Sequence, residues 1–307
     1  MLAVVGREAK MTRLANTMRS KWAGLCVGAI GLAPICVACS GPMPVETSQT
    51  GGSGSHNPTG TGGAIVSYPV GGGARGDTGA GTGTSCDNKI LVVFRDFRGC
   101  TDDKGPRHPD FEQPNYVPDP GITEPTLGTD MKPVYAQVHG SNSTRTVQSA
   151  ETFGQWYRDT DGVNVRIESS LTLTPSTTDP NVQIYDSTAF FPIDGQGWGN
   201  QQCQGGQHNY SFTTEIHTTF TYKGGETFTF RGDDDVFAFV NGKQVIDLGG
   251  IHLAETGTVN MDAQAATLGI VKGETYPMDI FHAERHVIYS NFRMETRFEC
   301  LGSTIIP

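Results

Sequence analysis

Three consecutive aspartates, Asp233, Asp234 and Asp235, are the residues of this chain with the clearest capacity for chemistry. Adjacent carboxylates repel one another, so a fold that crowds them usually places a cation or several hydrogen-bond donors nearby. Calcium is a hard cation that takes about six to eight oxygen ligands, and carboxylates on a loop at a strand end can supply several of them. The alternative is that the aspartates only cap a turn by accepting hydrogen bonds from backbone amides.

A second cluster lies in the segment His282-Ala-Glu-Arg-His286. Side chains alternate along a strand, so His282, Glu284 and His286 would point to one face and could hold a transition metal. The favoured alternative is a buried polar cluster in which Glu284 and Arg285 pair with neighbours.

The segment Asp247-Leu-Gly-Gly-Ile-His252 follows soon after the aspartates, and His252 could join either arrangement. We assign Asp247, His252 and Glu284 as candidate ligand-binding residues.

The elements around the aspartates are predicted to be strands. Asn241-Gly242 separates two apolar runs, which is a strong hairpin signal because both turn residues tolerate positive φ. Phe228, Phe230, Phe237 and Phe239 are expected to line one face of this region as core. Other runs with strand character cover Lys89 to Phe97, Val163 to Leu173, Tyr210 to Phe220, Glu226 to Phe230, Val236 to Asn241, Lys243 to Leu248, Thr275 to Ala283 and Asn291 to Glu299.

Short strands separated by turn signals predict an all-β fold, a two-sheet antiparallel sandwich or barrel. Residues 98–146 are rich in Pro, Gly and Asp, so they are expected to form long loops. One or two short helices are expected. The best candidate runs from Ser149, a suitable N-cap, to Asp159, with Phe153, Trp156 and Tyr157 on one face.

The N-terminal part is predicted to lie outside the fold. Residues 1–38 have a basic start and an apolar stretch too short to span a membrane comfortably, which is typical of a signal peptide. Cys39 follows small residues, as in a bacterial lipoprotein, and is the candidate lipidation site; plain secretion is the alternative. Residues 39–88 are a Gly/Ser-rich tether, and residues 89–302 form one β-sandwich domain.

The charge of the chain excludes some partners. Residues 1–38 hold five of the 22 basic and one of the 32 acidic residues, so the remainder carries a net charge of −14. This balance argues against nucleic acid and anionic membrane surfaces as partners. A lipid anchor would then be the sole membrane attachment.

Four cysteines remain in the predicted exported part: Cys86, Cys100, Cys203 and Cys300. An even number in an exported domain favours disulfides. Of the three possible connectivities, we favour Cys86–Cys300 with Cys100–Cys203. A zinc site is the alternative use of these cysteines, but no C-x-x-C spacing supports it. The cofactor expected from the aspartates is calcium, and zinc or another transition metal is not expected.

The chain resembles the fibro-slime domain, an extracellular module. That domain is related to the protective-antigen-type β-sandwich lectin module. The resemblance covers residues 90–300. Its motifs are Arg95-Asp-Phe97, His108-Pro-Asp-Phe-Glu112, Phe153-Gly-Gln-Trp-Tyr-Arg158, Phe190-Phe-Pro-Ile-Asp-Gly195, His208-Asn-Tyr-Ser-Phe-Thr213, Gly232-Asp-Asp-Asp-Val236, Asp247-Leu-Gly-Gly-Ile-His252, Phe281-His-Ala-Glu-Arg-His286 and Ser290-Asn-Phe292.

The resemblance implies an exported surface protein of matrix or adhesion systems, with a polysaccharide or matrix glycan as partner. In sugar-binding relatives, two consecutive aspartates joined by a cis peptide hold calcium, and a later loop adds an Asn. Carried over, Asp233 and Asp234 match the aspartate pair and Asn291 lies near the later loop. Asp235 stands where Gly is frequent.

Three hypotheses follow. The first is a surface-anchored module that binds carbohydrate with calcium. The second is a structural matrix protein in which the acidic loop only stabilises the fold. The third is a metal-dependent enzyme using His282, Glu284 and His286. No catalytic motif favours the third hypothesis, since the chain has neither a nucleophile elbow nor a P-loop.

Overall fold

The computed structural model describes residues 88–101, 105–136, 145–203, 205, 207–298 and 301–306, all within one compact unit, Asp77–Pro307. The predicted signal peptide, Cys39 and nearly all of the predicted tether lie outside the described residues, as do Cys86 and Cys300. The predicted disulfide between Cys100 and Cys203 is present, with 5.9 Å between the two Cα atoms.

Strands dominate the described residues. In chain order they are β1 (Lys89–Phe97), β2 (Val117–Pro118), β3 (Asn164–Thr172), β4 (Thr174–Pro175), β5 (Gln183–Ser187), β6 (Phe212–Thr221), β7 (Thr227–Gly232), β8 (Asp235–Val240), β9 (Lys243–Leu248), β10 (Gly250–Ile251), β11 (Glu255–Asn260), β12 (Thr275–Glu284), β13 (Phe292–Thr296) and β14 (Gly302–Thr304).

The strands form two main antiparallel sheets. The larger sheet has the order β3-β1-β6-β12-β8-β9, and β14 also pairs with β6. The smaller sheet has the order β11-β7-β13-β5-β4, and the short strands β2 and β10 pair separately. The predicted all-β, two-sheet antiparallel fold is therefore confirmed.

The main core contains apolar side chains from strands of both sheets. Phe94, Ile216 and Ile280 come from the larger sheet and Phe230 and Phe292 from the smaller one, and all are 0–2% exposed. These aromatic and branched side chains alternate with residues that point the other way, as the period of a strand requires. Burial of this apolar area is the main force that holds the two sheets together.

A second core covers the opposite face of the larger sheet. Phe237, Phe239 and Phe281 from β8 and β12 pack there against Phe153 and Trp156, which precede β3 in the chain. The long loops predicted for residues 98–146 supply part of this cover, including Phe111 and Ile122 (both 0% exposed).

The prediction that four phenylalanines share one face is wrong. Phe228 and Phe230 lie in the main core, whereas Phe237 and Phe239 lie in the second. The two pairs of phenylalanines lie in different cores because the acidic loop between them carries the chain from β7 in the smaller sheet to β8 in the larger one.

Two helices occur in the part of the chain that the structure describes. The first, α1 (Ala150–Gly154), is shorter than predicted but has the predicted N-cap, since Ser149 Oγ accepts from Thr152 N at 3.1 Å. The second, α2 (Met261–Leu268), begins after Asn260 as N-cap and ends at Gly269 (φ 72°). No helix among the described residues is long and apolar enough to cross a membrane.

The predicted hairpin turn has the expected geometry. Asn241 (φ 50°) and Gly242 (φ 72°) both have positive φ and join β8 to β9. This is the two-residue turn that suits the twist of paired strands. The turn lies at the end of β8 opposite Asp235, and the pairing of Val236 with Leu248 holds the end that leads into the acidic loop.

Candidate functional site

A surface cleft of about 430 Å³ lies beside the acidic loop. Three chain segments meet there: the loop between β7 and β8, the residues after β10 and the residues after β12. A peptide segment next to β2 forms another wall. The lining residues are Tyr116, Pro118, Asp233, Asp234, Ile251, His252, Leu253, Ala254, Glu255, His286, Val287, Ile288 and Tyr289. We call this feature the aspartate cleft.

Asp233 and Asn291, both predicted metal ligands, lie in contact with each other. The Asp233 carboxylate accepts a hydrogen bond from Asn291 Nδ2 at 2.6 Å and another from the Asn291 backbone N–H. The bond joins the acidic loop to the start of β13. Asn291 therefore holds the orientation of Asp233 and lies next to the cleft, although it is not among its lining residues.

Asp234 forms the bend of the loop. Its φ of 53° is in the left-handed region, and its carboxylate accepts from Arg285 N at 2.8 Å and from His252 N at 3.3 Å. These contacts tie the loop to the ends of β12 and β10. The peptide bond between Asp233 and Asp234 is not cis; within the described ranges the cis bond is Val287–Ile288, in the wall of the cleft.

Asp235 is an ion-pair partner inside the protein. Its Oδ2 accepts from Arg285 Nε at 2.6 Å and its Oδ1 from Gly250 N at 2.7 Å. Neither Asp235 nor Arg285 is exposed to solvent. Asp235 was predicted as a metal ligand, but both of its oxygens are engaged within the fold and it does not line the cleft.

Arg285 connects the acidic loop to the long loops. Its Nη1 donates to the carbonyl oxygens of Asp110 (2.9 Å) and Thr146 (2.8 Å), and its guanidinium stacks 4.6 Å from the Trp156 ring centroid. With Nε on Asp235 and Nη2 donating to Thr146 Oγ1 at 3.2 Å, four of the five guanidinium N–H groups form hydrogen bonds to described residues. The segments containing Asp110 and Thr146 are thereby fixed relative to the cleft.

Carboxylates crowd the floor of the aspartate cleft. Burial, together with the charges of Asp235 and Asp233, raises the pKa of Asp234 to about 8 against the opposing effect of Arg285. Burial and the charges of Asp234 and Asp233 also hold the pKa of Glu284 well above its ordinary value. Glu284 is fully buried, and neither of its carboxylate oxygens accepts a well-formed hydrogen bond from a described residue.

The other two candidate ligand-binding residues have different positions. His252 lines the cleft, and its ring nitrogens face the carbonyl oxygens of Leu253 (2.9 Å) and Leu248 (3.2 Å). Asp247 does not line it; its Oδ2 accepts from Gly121 N at 2.7 Å and so holds a neighbouring loop. The structure thus brings His252 to the site and leaves Asp247 outside it.

His282, Glu284 and His286 do not surround a common point. His282 is buried among Phe190, Phe212 and Phe292, and burial lowers its pKa to about 3. His286 lies beyond the end of β12, where its ring faces Tyr116 with 4.3 Å between centroids. Within the residues that can be described, no group of three or more His, Cys, Asp or Glu side chains is arranged to hold a metal ion.

Exposed aromatic and aliphatic side chains form the rim of the cleft. Tyr116 (63% exposed) and Tyr289 (64%) are joined there by Leu253 and Ile288. The Tyr116 hydroxyl lies 2.7 Å from His286 Nδ1, which fixes one edge of its ring. Sequence reasoning missed this rim because Tyr116 and His286 are 170 positions apart; the available signal was a tyrosine inside a Pro-rich loop.

The fold and the site define an all-β sandwich module with an acidic cleft under an aromatic rim. The family model of the PA14 domain matches residues 164–303 of this chain. The match covers β3 to β14 and includes the acidic loop and Asn291. The resemblance to the wider superfamily is confirmed over those residues, and the narrower fibro-slime assignment stays a prediction.

Alignments with related proteins cover more of this chain than residues 164–303. Protein psiQ of Dictyostelium discoideum is 42% identical over an alignment of 208 positions that covers 63% of this chain and 20% of psiQ. Protein psiD of the same organism is 40% identical over an alignment of 210 positions that covers 64% of this chain and 40% of psiD. The chain therefore spans between a fifth and two fifths of the length of these relatives.

Among solved structures, the PA14 sugar-binding domain from an RTX adhesin aligns with 70% of this chain and 95% of that domain. The sequence identity is 9% and the TM-score is 0.28.

Proposed function

We propose that this chain is an exported surface protein whose sandwich domain binds a polysaccharide or a matrix glycan in the aspartate cleft. Binding is proposed to require calcium and to involve no catalysis. The observation that carries the proposal is the cleft itself, in which two nearly buried carboxylates lie beneath exposed tyrosine rings. The match of residues 164–303 to the PA14 domain supports the same assignment.

The chemistry of the cleft suits a sugar. Carboxylates at the floor accept hydrogen bonds from hydroxyl groups, and a few convergent polar groups in a concave site are typical of small-ligand binding. Tyr116 and Tyr289 offer apolar ring faces with a polar edge, against which the apolar face of a pyranose can pack. The combination favours a ligand that is polar at its edges and apolar on its faces.

The residues of the cleft fit calcium in part. Each carboxylate oxygen of Asp233 and Asp234 accepts one hydrogen bond and retains a lone pair for a further partner. The buried carboxyl group of Glu284 lies close enough for the charges of Asp234 and Asp233 to raise its pKa. Asp233 and Asp234 would hold the ion, and its other ligands would be backbone, water or sugar oxygens. When bound, the ion neutralises the crowded carboxylates and coordinates hydroxyl groups.

Calcium binding is tested by calorimetric titration of the full chain after treatment with a chelator. We expect one site with a dissociation constant between about 1 μM and 1 mM, the range of calcium sites of moderate ligand charge. In Asp234→Asn the heat should disappear, because one carboxylate ligand is lost. Asp161→Asn is the matched control, since Asp161 is an exposed loop aspartate that does not line the cleft.

Glycan binding is then measured on the same proteins with and without calcium. Retention by a glycan array that is lost with chelator and in Asp234→Asn supports the proposal. Calcium binding without any glycan would favour the structural matrix protein instead. Absence of both would leave the aspartates as part of the hydrogen-bond network around Arg285.

We also propose a lipid anchor at Cys39, connected to the sandwich by the Gly/Ser-rich residues 39–88. The support is the sequence before Cys39 and the composition of the following segment. In a bacterial host, the full chain should partition with membranes, and Cys39→Ala should move it to the soluble exported fraction. Cys26→Ala is the control, because it lies within the predicted signal peptide. Membrane association unchanged by Cys39→Ala would contradict the anchor.

A further inference from the structure

We propose that the glycan recognised by this protein is anionic, and that Arg145 binds its carboxylate or sulfate group in a second subsite beside the aspartate cleft. This inference rests on the proposed function and names its substrate class. The second subsite is a hollow of about 630 Å³ formed by Pro114, Asn115, Tyr116, Val117 and Arg145. We call it the Arg145 hollow.

Tyr116 belongs to both concave surfaces. One side of the residue adjoins Asp233 and Asp234, and the other adjoins Arg145. Its ring is largely exposed, while its hydroxyl is held by His286. A saccharide chain packed on Tyr116 would therefore place neighbouring units in the two concavities. The combined site suits an oligosaccharide of at least two units.

The guanidinium of Arg145 is exposed. Among the described residues no carboxylate forms an ion pair with it, although the chain as a whole has an excess of acidic residues. The hydrogen bond that joins Arg145 to a described residue uses its backbone, where its carbonyl oxygen accepts from Asn115 Nδ2 at 3.4 Å. A free guanidinium offers paired N–H groups that match the oxygens of a carboxylate or a sulfate.

The backbone that carries Arg145 is fixed to the same scaffold as the aspartates. The next residue, Thr146, donates to Asp119 Oδ2 through its N–H and its hydroxyl, both at 3.0 Å. Its carbonyl oxygen accepts from Arg285 at 2.8 Å, and Arg285 also pairs with Asp235 in the acidic loop. A continuous set of hydrogen bonds therefore connects the two subsites, and such support of a binding site by its surroundings favours specific recognition.

Charge determines which end of a ligand lies in which subsite. Three acidic side chains, Asp233, Asp234 and Glu255, line the aspartate cleft, so one bound calcium ion would leave no excess positive charge over these acids to attract an anionic group, and hydroxyl groups suit the cleft better. An anionic group on the neighbouring sugar is attracted to Arg145, on the other side of Tyr116. The structure thus assigns neutral hydroxyls to the aspartate cleft and the anion to the Arg145 hollow.

The test compares matched saccharides by calorimetry on the full chain with calcium present. One pair is a glucuronate-containing tetrasaccharide and its carboxyl-reduced neutral form; the other is a neutral tetrasaccharide with and without a 6-sulfate. We expect at least one anionic form to bind about tenfold or more tightly than its neutral partner. In Arg145→Gln that preference should fall to about twofold or less, and in Arg145→Lys it should be intermediate.

Two controls separate this inference from the proposed function. Arg297→Gln removes an arginine near the opposite end of β13 and should leave both affinities unchanged. Raised salt should weaken the Arg145-dependent part of binding most, because a screened surface charge supplies it. Thermal unfolding of Arg145→Gln should match that of the parent, since only the backbone of Arg145 is engaged within the fold.

The outcomes are distinct. If neutral and anionic forms bind equally well and Asp234→Asn abolishes the binding of both, the anionic preference is overturned and the proposed function stands. A preference that persists in Arg145→Gln would overturn the role of Arg145. Absence of binding for every saccharide would overturn both proposals. The two pairs show whether the anion is a carboxylate or a sulfate.

Discussion

Replacement of Arg285 by methionine is expected to lower the free energy of unfolding by about 3–5 kcal/mol, the usual cost of removing one partner of a buried ion pair. Asp235 would keep its bond from Gly250 but lose its counter-charge in a site with no access to solvent. The carbonyl oxygens of Asp110 and Thr146 would also lose their donors. Methionine retains much of the volume against Trp156, so lost packing contributes little.

Thermal or denaturant unfolding of the full chain measures this effect. A loss of this size corresponds to a fall in melting temperature of about 6–20 °C for a domain of about 200 residues. Arg293→Met is the matched control, because Arg293 pairs with Asp186 at the surface and should cost less than about 1 kcal/mol. Equal effects of the two changes would refute the central role of Arg285.

A double variant separates the ion pair from the other contacts. Asp235→Asn removes the charge that Arg285 neutralises and keeps the shape of the side chain. If the pair is coupled as the structure shows, Arg285→Met with Asp235→Asn should destabilise the protein less than the sum of the single changes. Strict additivity would mean that the hydrogen bonds to Asp110 and Thr146 carry the stabilisation.

Eight of the fourteen described strands could be predicted because each has a clear local signal, whereas β2, β4, β5, β10, β11 and β14 were not located from sequence. Residues Lys89–Phe97 and Lys243–Leu248 have the predicted bounds, since apolar runs and turn residues mark both ends. Helix α2 was not located from sequence because only its two end residues, Met261 and Leu268, are buried. Its other residues carry no apolar periodicity, although Asn260 and Gly269 provided a start and a stop signal.

The candidate site could be predicted only in part. Asp233, Asp234 and Asn291 converge because the acidic loop and the start of β13 are neighbours in the smaller sheet. The engagement of Asp235 by Arg285 and the contribution of Tyr116 depend on contacts between positions far apart in sequence. Such contacts follow from how loops cover a sheet, and no local pattern encodes them.

Glu215 is expected to make the protein sensitive to acid. It is buried in β6 between Arg95, Lys132 and His217; Lys132 Nζ and His217 Nε2 each lie 2.7 Å from Glu215 Oε1. Burial alone would raise its pKa, but the hydrogen bond from His217 and the charges of Arg95, His217 and Lys132 lower it to about 2 from an ordinary 4.5. A lowered pKa means that the ionised form stabilises the fold.

The sign of the pH dependence follows directly. The stabilisation is fully present above about pH 5, and it is lost as pH falls towards 2, because protons bind the unfolded chain first. The lowering of the pKa of Glu215 corresponds to about 3 kcal/mol of folding stability. His217 has the opposite pH dependence. Burial lowers its pKa, but Asp279 and Glu215 raise it overall, so its stabilisation is fully present below the ordinary pKa of 6.5 and is lost as pH rises through the raised pKa.

Glu215→Gln tests this contribution, and comparison at pH 6 and below keeps the measurement under the ordinary pKa of His217, which Glu215 helps to raise. The difference in unfolding free energy between parent and Glu215→Gln should be about 3 kcal/mol at pH 6 and should shrink steadily between pH 5 and pH 2. Glu168→Gln, at an exposed ion pair with Arg166, should change stability by less than about 1 kcal/mol at every pH. Since Lys132 belongs to the long loops and Arg95 to β1, a difference that does not vary with pH would mean that shape and not charge holds these elements together.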